Sequence, residues 1–412
     1  MRTVRICSLH LLVFVLVVGC QVEHAPTDPV GERLDVPAGS GSGQPRLYTA
    51  SDGAVWLSWV EPLDDSTHAL RSATLTDTTW SAPSTVAVGT DWFVNWADLP
   101  SVRPLPDGRA AAHYLQSNGS SALAYAVRVT QRPRGGSWQT AVSPHADDSP
   151  TEHGFVSMVP WSTDQLLTVW LDGRKMSTGE GHGHGEMSLR SALLDSTGAV
   201  VQRTQVDGRT CECCATSLER VSDDEALLAY RDRSADEIRD ISLVRFDGEQ
   251  WTEPTPLHTD GWEIEGCPVN GPALAARGDR VVAAWFTAAA GVPRVKVAFS
   301  TDGGHRFTEP VVVAEGQTKG RVDAALLDDG SAVVSWLADA DGRGQVQLRT
   351  VRADSTLGTV ATMAVLSSAS RRAGFPKMVR SGEHLYGVWV QPEGESGASQ
   401  VQGARVPVQS LR

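Results

Sequence analysis

The chain has 412 residues, 41% hydrophobic and 21% charged, with 39 Gly, 22 Pro and 6 Cys, which excludes a disordered tail and a disulfide mini-protein. Its 36 Lys plus Arg stand against 49 Asp plus Glu, and the formal net charge of -13 argues against a nucleic-acid partner or a polybasic membrane surface. The expectation is an acidic, soluble, monomeric body with a large core.

The first element is a targeting segment. Arg2 and Arg5 precede an apolar stretch from Ile6 to Val18, too short for a membrane helix of about 20 residues. The stretch ends in Val17-Val18-Gly19-Cys20, which resembles the bacterial lipobox. That resemblance implies cleavage before Cys20, lipidation of its sulfur, and export to the cell surface. Gln21 rather than Asp after the cysteine points to the outer membrane in a Gram-negative host. The expected organisation is a lipoprotein signal peptide over 1–19, a lipidated tether over 20–32 and one folded body over 33–412, touching the membrane through its lipid alone.

From there a short apolar strand ending in an aromatic recurs seven times. The aromatics are Trp59, Tyr114, Trp170, Tyr230, Trp285, Trp336 and Trp389, spaced 51 to 60 residues apart. Turns such as Ser51-Asp52-Gly53, Pro106-Asp107-Gly108 and Asp328-Asp329-Gly330 precede these strands, as hairpins require. Four short strands per unit of about 55 residues describe a blade, so the fold class is an all-β, seven-bladed β-propeller. Six blades with one inserted hairpin are the alternative. Leu34 to Gly39 looks like an outer strand, and the last unit lacks one after Ala404 to Val408. The N-terminal strand should therefore close the ring and remove a free edge.

One turn carries a family resemblance. Ser300-Thr301-Asp302-Gly303-Gly304-His305-Arg306-Phe307 resembles the Asp-box, or BNR, pattern of the sialidase-like β-propeller superfamily, with degenerate versions around Trp80, Trp138 and Trp251. The resemblance implies the fold and a structural role for Asp302, which caps a turn away from any substrate. Asn118-Gly119-Ser120 is a formal glycosylation sequon that reads as a turn.

The strand order of a blade brings the loops entering each inner strand to the same face as the loops joining strands two and three. That upper face collects Cys211, Cys213 and Cys214 at the entry of blade four and Cys267 at the entry of blade five. His182 and His184, flanked by Met176 and Met187, lie in a loop of blade three. Trp96, Asp98, His153, Arg321 and Asp323 come from other entries. In an exported chain the four cysteines would form disulfides, with Cys267 bridged to one of the three clustered thiols. A second bridge within Cys-x-Cys-Cys is awkward in extended chain. The alternatives are a Cu or Zn site, with His153, His182 and His184 joining the four cysteines as ligands, or a redox-active thiol.

The charged loops support a different reading. Sialidases, which the fold resembles, use an arginine cluster and an acid on this face. Here Arg174, Arg231, Arg233, Arg239 and Arg321 could hold a small anionic ligand or a glycan, and Asp172, Asp232 and Asp323 could supply the acid. Trp92 and Trp96 could stack on a sugar. A non-enzymatic binding scaffold is the third reading. No phosphate loop or serine nucleophile elbow is present in the sequence.

Overall fold

The computed structural model describes residues 29–176, 185–393 and 398–411. Seven antiparallel sheets follow one another around a ring, in a single β-propeller. The inner strands, in order, are Gly43–Thr49, Ser101–Pro104, His153–Pro160, Ser217–Arg220, Ala273–Arg277, Thr318–Leu326 and Lys377–Ser381. Each second strand is pressed between neighbouring blades and is apolar on both faces: all six residues of Ala226–Arg231 are buried. Outer strands meet solvent and alternate, as Val200–Thr210 does along most of its length. Among the described residues only three short 3-10 turns are helical, and no helix is long and apolar enough to cross a membrane.

All seven repeated aromatics lie in second strands. Trp59, Trp170, Tyr230, Trp285 and Trp336 are fully buried, so their polar atoms need partners. Trp59 Nε1 donates to Glu61 at 2.9 Å and Trp170 Nε1 to Asp172 at 2.8 Å. An acid two residues after the aromatic thus holds the indole in blades one and three.

The ring closes as expected, with a change of register. Glu32–Leu34 pairs with the last long strand, Ser399–Pro407, through Glu32 opposite Arg405, Arg33 opposite Ala404 and Leu34 opposite Gly403. The closing strand was expected over Leu34 to Gly39 beside Ala404 to Val408. It ends instead at Leu34, ahead of Pro37, which has no N–H to give a ladder. Blade two also departs from four regular strands. Its outer position is held by a single bridge, Val129 to Val142, because Pro133, Gly135 and Gly136 interrupt the chain there.

The inner strands surround a channel of about 740 Å³ whose lining includes Arg46, Arg103, Glu219, Asp323 and Lys377. Asp323, expected at the upper rim, lies inside this channel. Its carboxylate accepts the Met378 N–H at 2.9 Å and faces Lys377 Nζ at 4.0 Å.

Candidate functional site

Cys211 to Cys214 form a turn just ahead of the inner strand of blade four, begun by the Cys211 N–H donating to the Arg231 carbonyl at 3.1 Å. The turn, rather than an extended chain, brings the sulfurs together. Cys213 is bridged to Cys267 across blades four and five, while Cys211 and Cys214 are free thiols. Cys211 Sγ lies 3.1 Å from Cys214 Sγ and 4.0 Å from Cys213 Sγ. The four non-N-terminal cysteines thus converge as their equivalent positions predicted, and the two-residue spacing of Cys211 and Cys214 proves compatible with close approach.

The thiols sit under positive charge. Arg239 Nη1 is 3.5 Å from Cys211 Sγ. Burial resists ionisation of Cys211, but the Cys214 thiol, the Cys213 N–H and the guanidinium groups of Arg231 and Arg239 outweigh it and bring the pKa from 9.0 to about 7. Burial and the Cys211 neighbour push Cys214 well up. One sulfur of the pair is thus poised to ionise first.

The arginines around this pair are committed. Arg231 is 1% exposed and donates from Nε to Asn270 O at 2.8 Å, from Nη1 to Arg239 O at 2.5 Å and from Nη2 to Phe286 O at 2.7 Å. Its plane also covers the Trp262 ring at 4.8 Å. Arg239 is clamped by Glu212 at 2.6 Å and Glu237 at 2.9 Å, and Arg233 bonds the same two carboxylates. Hydrogen bonds from Arg233 hold Glu237 down at about 2 despite partial burial. Asp232 accepts from Ser242 Oγ at 2.9 Å, and burial with the Asp207 charge raises its pKa.

His153 stands in a separate group. Its Nε2 faces Asp147 at 3.0 Å and Asp172 at 3.8 Å, and its ring stacks on His145 at 4.2 Å. Arg174 grips Asp172 through two bonds, at 2.6 and 2.7 Å. The single Cys and His ligand set expected from sequence therefore divides into a sulfur group and a group of Asp147, His153 and Asp172. His182, His184 and Cys20 lie outside the described residues. Met187 is buried in the core cluster that contains the clustered cysteines, and Met176 packs against it.

Arg321 joins the rim from the inner strand of blade six. It donates to Ser370 O at 3.0 Å and Gly374 O at 2.8 Å and stacks over Trp96 at 4.9 Å. Trp96 and Phe375 border a cavity of about 220 Å³ between the first and last blades, which also meets His68 and Arg372. Trp92 instead stacks on Tyr114 at 4.7 Å.

Two rim residues with unusual backbone reveal a shared device. Phe155 and Arg321 have φ of 53° each, at bulges in their inner strands. The Phe155 N–H donates to the Asp98 carboxylate at 2.8 Å, and the Arg321 N–H to Asn270 Oδ1 at 2.6 Å. Gly154 makes room for Asp98, since a Cβ there would lie 1.9 Å from its Oδ2. Burial lifts Asp98 to about 7 against the pull of the Phe155 N–H. Glu152 is lifted to about 7 as well, by burial first, while accepting from Tyr125 Oη at 2.7 Å. Sequence reasoning missed Glu152, Tyr125, Glu212 and Glu237; Glu212, lying between the cysteines, was the one with a visible signal.

No protein-family model matches the chain, and no curated protein matches it. Solved structures do. An ulvan lyase of polysaccharide lyase family PL25, bound to a glucuronate and sulfated rhamnose unit, aligns with TM-score 0.54 at 9% identity over 92% of this chain and 96% of its own. A puromycin-hydrolysing peptidase from Mycobacterium tuberculosis aligns with TM-score 0.53 at 12% identity, over 93% of this chain and 55% of its own. The polysaccharide lyase Uly1 gives 0.52 at 7% identity, over 89% and 90%. At these identities the likeness is one of architecture alone, that of a β-propeller.

Proposed function

We propose that the upper face is a sulfur centre that binds a soft cation, Cu(I) before Zn(II). One observation carries the reading: three cysteine sulfurs lie within 4.8 Å of one another in a buried site, beside two guanidinium groups that offset thiolate charge. With Cys213 bridged, Cys211 and Cys214 are the two available thiolates, a set that suits Cu(I) better than four-coordinate zinc. With two sulfurs on Cu(I) the S–Cu–S angle is near linear, and at metal–sulfur bonds of about 2.3 Å the two sulfurs would stand about 4.6 Å apart. The present 3.1 Å separation would have to open by about 1.5 Å on binding.

The test is a titration of the full chain with Cu(I) against bicinchoninate, anaerobically and with ascorbate. One copper per chain is expected, lost in Cys211→Ser and in Cys214→Ser. Copper well below one equivalent in the native chain sinks the reading. The same proposal places the ring outside the cytoplasm on a lipidated Cys20, so Cys20→Ser should move the chain from the membrane fraction to the soluble one.

A second reading is a glycan-acting face. It is favoured by the ulvan lyase likeness and by the cavity that Trp96 and Phe375 border, and it needs neither thiols nor metal. Because each nitrogen of Arg231 is already bonded to a carbonyl, this reading centres on the Trp96 cavity. Depolymerisation of uronate-containing glycans or hydrolysis of aryl glycosides, retained in Cys211→Ser and lost in Trp96→Ala, would support it. An absence of turnover across such a panel would count against it.

A further inference from the structure

We propose that the sulfur cluster is also a thiol–disulfide exchange site, in which the buried pair Cys211 and Cys214 passes two electrons through the Cys213–Cys267 bridge to a disulfide substrate at the surface. This goes beyond the copper reading and requires no metal.

The argument is one of reach. Cys211 is 0% exposed and Cys214 1% exposed, so no substrate disulfide can touch the free thiols directly. Cys213 is 7% exposed, and Cys267 is half-buried on a strip where Glu263, Glu265 and Gly266 are exposed. The sulfurs therefore form a line of contacts from Cys214 through Cys211 and Cys213 to Cys267, the most exposed of the four. Their successive contacts are 3.1 Å, 4.0 Å and the bridge itself. Arg239 stands beside Cys211 and offers a counter-charge to a sulfur anion there.

Exchange through this line balances without any further reagent. Cys211 gives up its proton, and its sulfur attacks Cys213, forming a Cys211–Cys213 bond while the Cys213–Cys267 bond breaks; Cys267 leaves with the electron pair. Cys214 then loses its proton and attacks Cys211, so Cys211–Cys214 forms and Cys213 leaves. The inner pair is oxidised, the outer pair is reduced, and the two protons end on Cys213 and Cys267. An external disulfide RSSR then takes up the two electrons. Cys267 attacks it and releases one RSH; Cys213 attacks the mixed disulfide, releases the second RSH and restores the outer bridge. The net change is oxidation of Cys211 and Cys214 and reduction of RSSR to two thiols. The acidic strip at Glu263 and Glu265 favours a cationic disulfide over an anionic one.

The first experiment treats the folded chain with iodoacetamide in the presence of a chelator and maps the cysteines by mass spectrometry. The expected result is label on Cys213 and Cys267 with a new Cys211–Cys214 bridge. Label on Cys211 and Cys214 with Cys213–Cys267 intact, or no label at all, overturns the proposal. Cys214→Ser removes the second step, so label should collect on Cys267 with Cys211 bridged to Cys213; an unchanged Cys213–Cys267 bridge in that variant also overturns it. Cystamine should then oxidise the native chain several-fold faster than glutathione disulfide, and equal or reversed rates reject the cationic preference. Chelator throughout makes these outcomes independent of copper binding, and a failed copper titration leaves them unaffected.

Discussion

Two polar groups on opposite faces of the ring, the Asp302 carboxylate and the Arg231 guanidinium, are satisfied in different ways. On the lower face the turn at Asp302 satisfies itself: Asp302 accepts from Ser300 Oγ at 2.8 Å and from the Arg306 N–H at 2.9 Å, all within seven residues. On the upper face Arg231 reaches Asn270 and Phe286, 39 and 55 residues away in sequence. The Asp302 carboxylate is bonded locally and open to water, whereas Arg231 belongs to a buried network spanning blades. The difference teaches where substitutions should be costly, and where polar groups are shared between blades and therefore coupled.

The sharpest way to break the comparison is Arg231→Met. It leaves three buried carbonyls without their donor and should cost about 3 kcal/mol or more in denaturant unfolding. Arg231→Lys should rescue little, since one ammonium cannot reproduce the planar fork that spans three acceptors. A loss below about 1 kcal/mol would place the Arg231 network with the locally satisfied Asp302 carboxylate.

Asp98→Asn sharpens the comparison through pH. Asp98 has its pKa raised from 3.8 to about 7, chiefly by burial. The fold therefore prefers the neutral acid, and this contribution is fully present below pH 4 and lost as pH rises towards 7. Asparagine already performs the same capping at Asn270, so Asp98→Asn should keep the Phe155 bond and remove this loss. Unfolding followed across pH 4 to 8 should show a flatter profile, with the variant more stable near pH 8 by on the order of a few kcal/mol. Glu152, raised to about 7 for the same leading reason, should leave a residual slope. A variant less stable than the native chain at pH 8 would show that the carboxylate charge is needed.

Asp302→Ala should have the smallest effect. Asp302 itself is exposed and water can replace the bonds it accepts, so the melting temperature should fall by less than for Arg231→Met, with copper uptake and cysteine labelling unchanged. A change in either sulfur property would show that the faces communicate through the blades.

Much of the architecture was legible in the chain. The spacing from Trp59 to Trp389 marks seven second strands because a four-stranded blade repeats its hairpin turns and its buried aromatic at nearly constant length. The same register assigned Cys211, Cys213, Cys214 and Cys267 to one face before any contact was known. Asp172 reads differently with Glu61 beside it, since both follow a buried tryptophan by two residues and hold its indole. That repeat was present in the sequence and pointed to packing.

Partner choice was not legible. Whether Cys213 or Cys211 meets Cys267 depends on the direction in which a four-residue turn aims its side chains. The commitment of Arg231 to carbonyls of other blades depends on distances between blades. Repeat, strand type and face follow from local periodicity and turn chemistry, which every segment carries in its own residues. The split of the ligand set into a sulfur group and a His153 group, and the reach of Asp98 to Phe155, were decided by tertiary structure alone, because each joins residues that only the closed ring brings together.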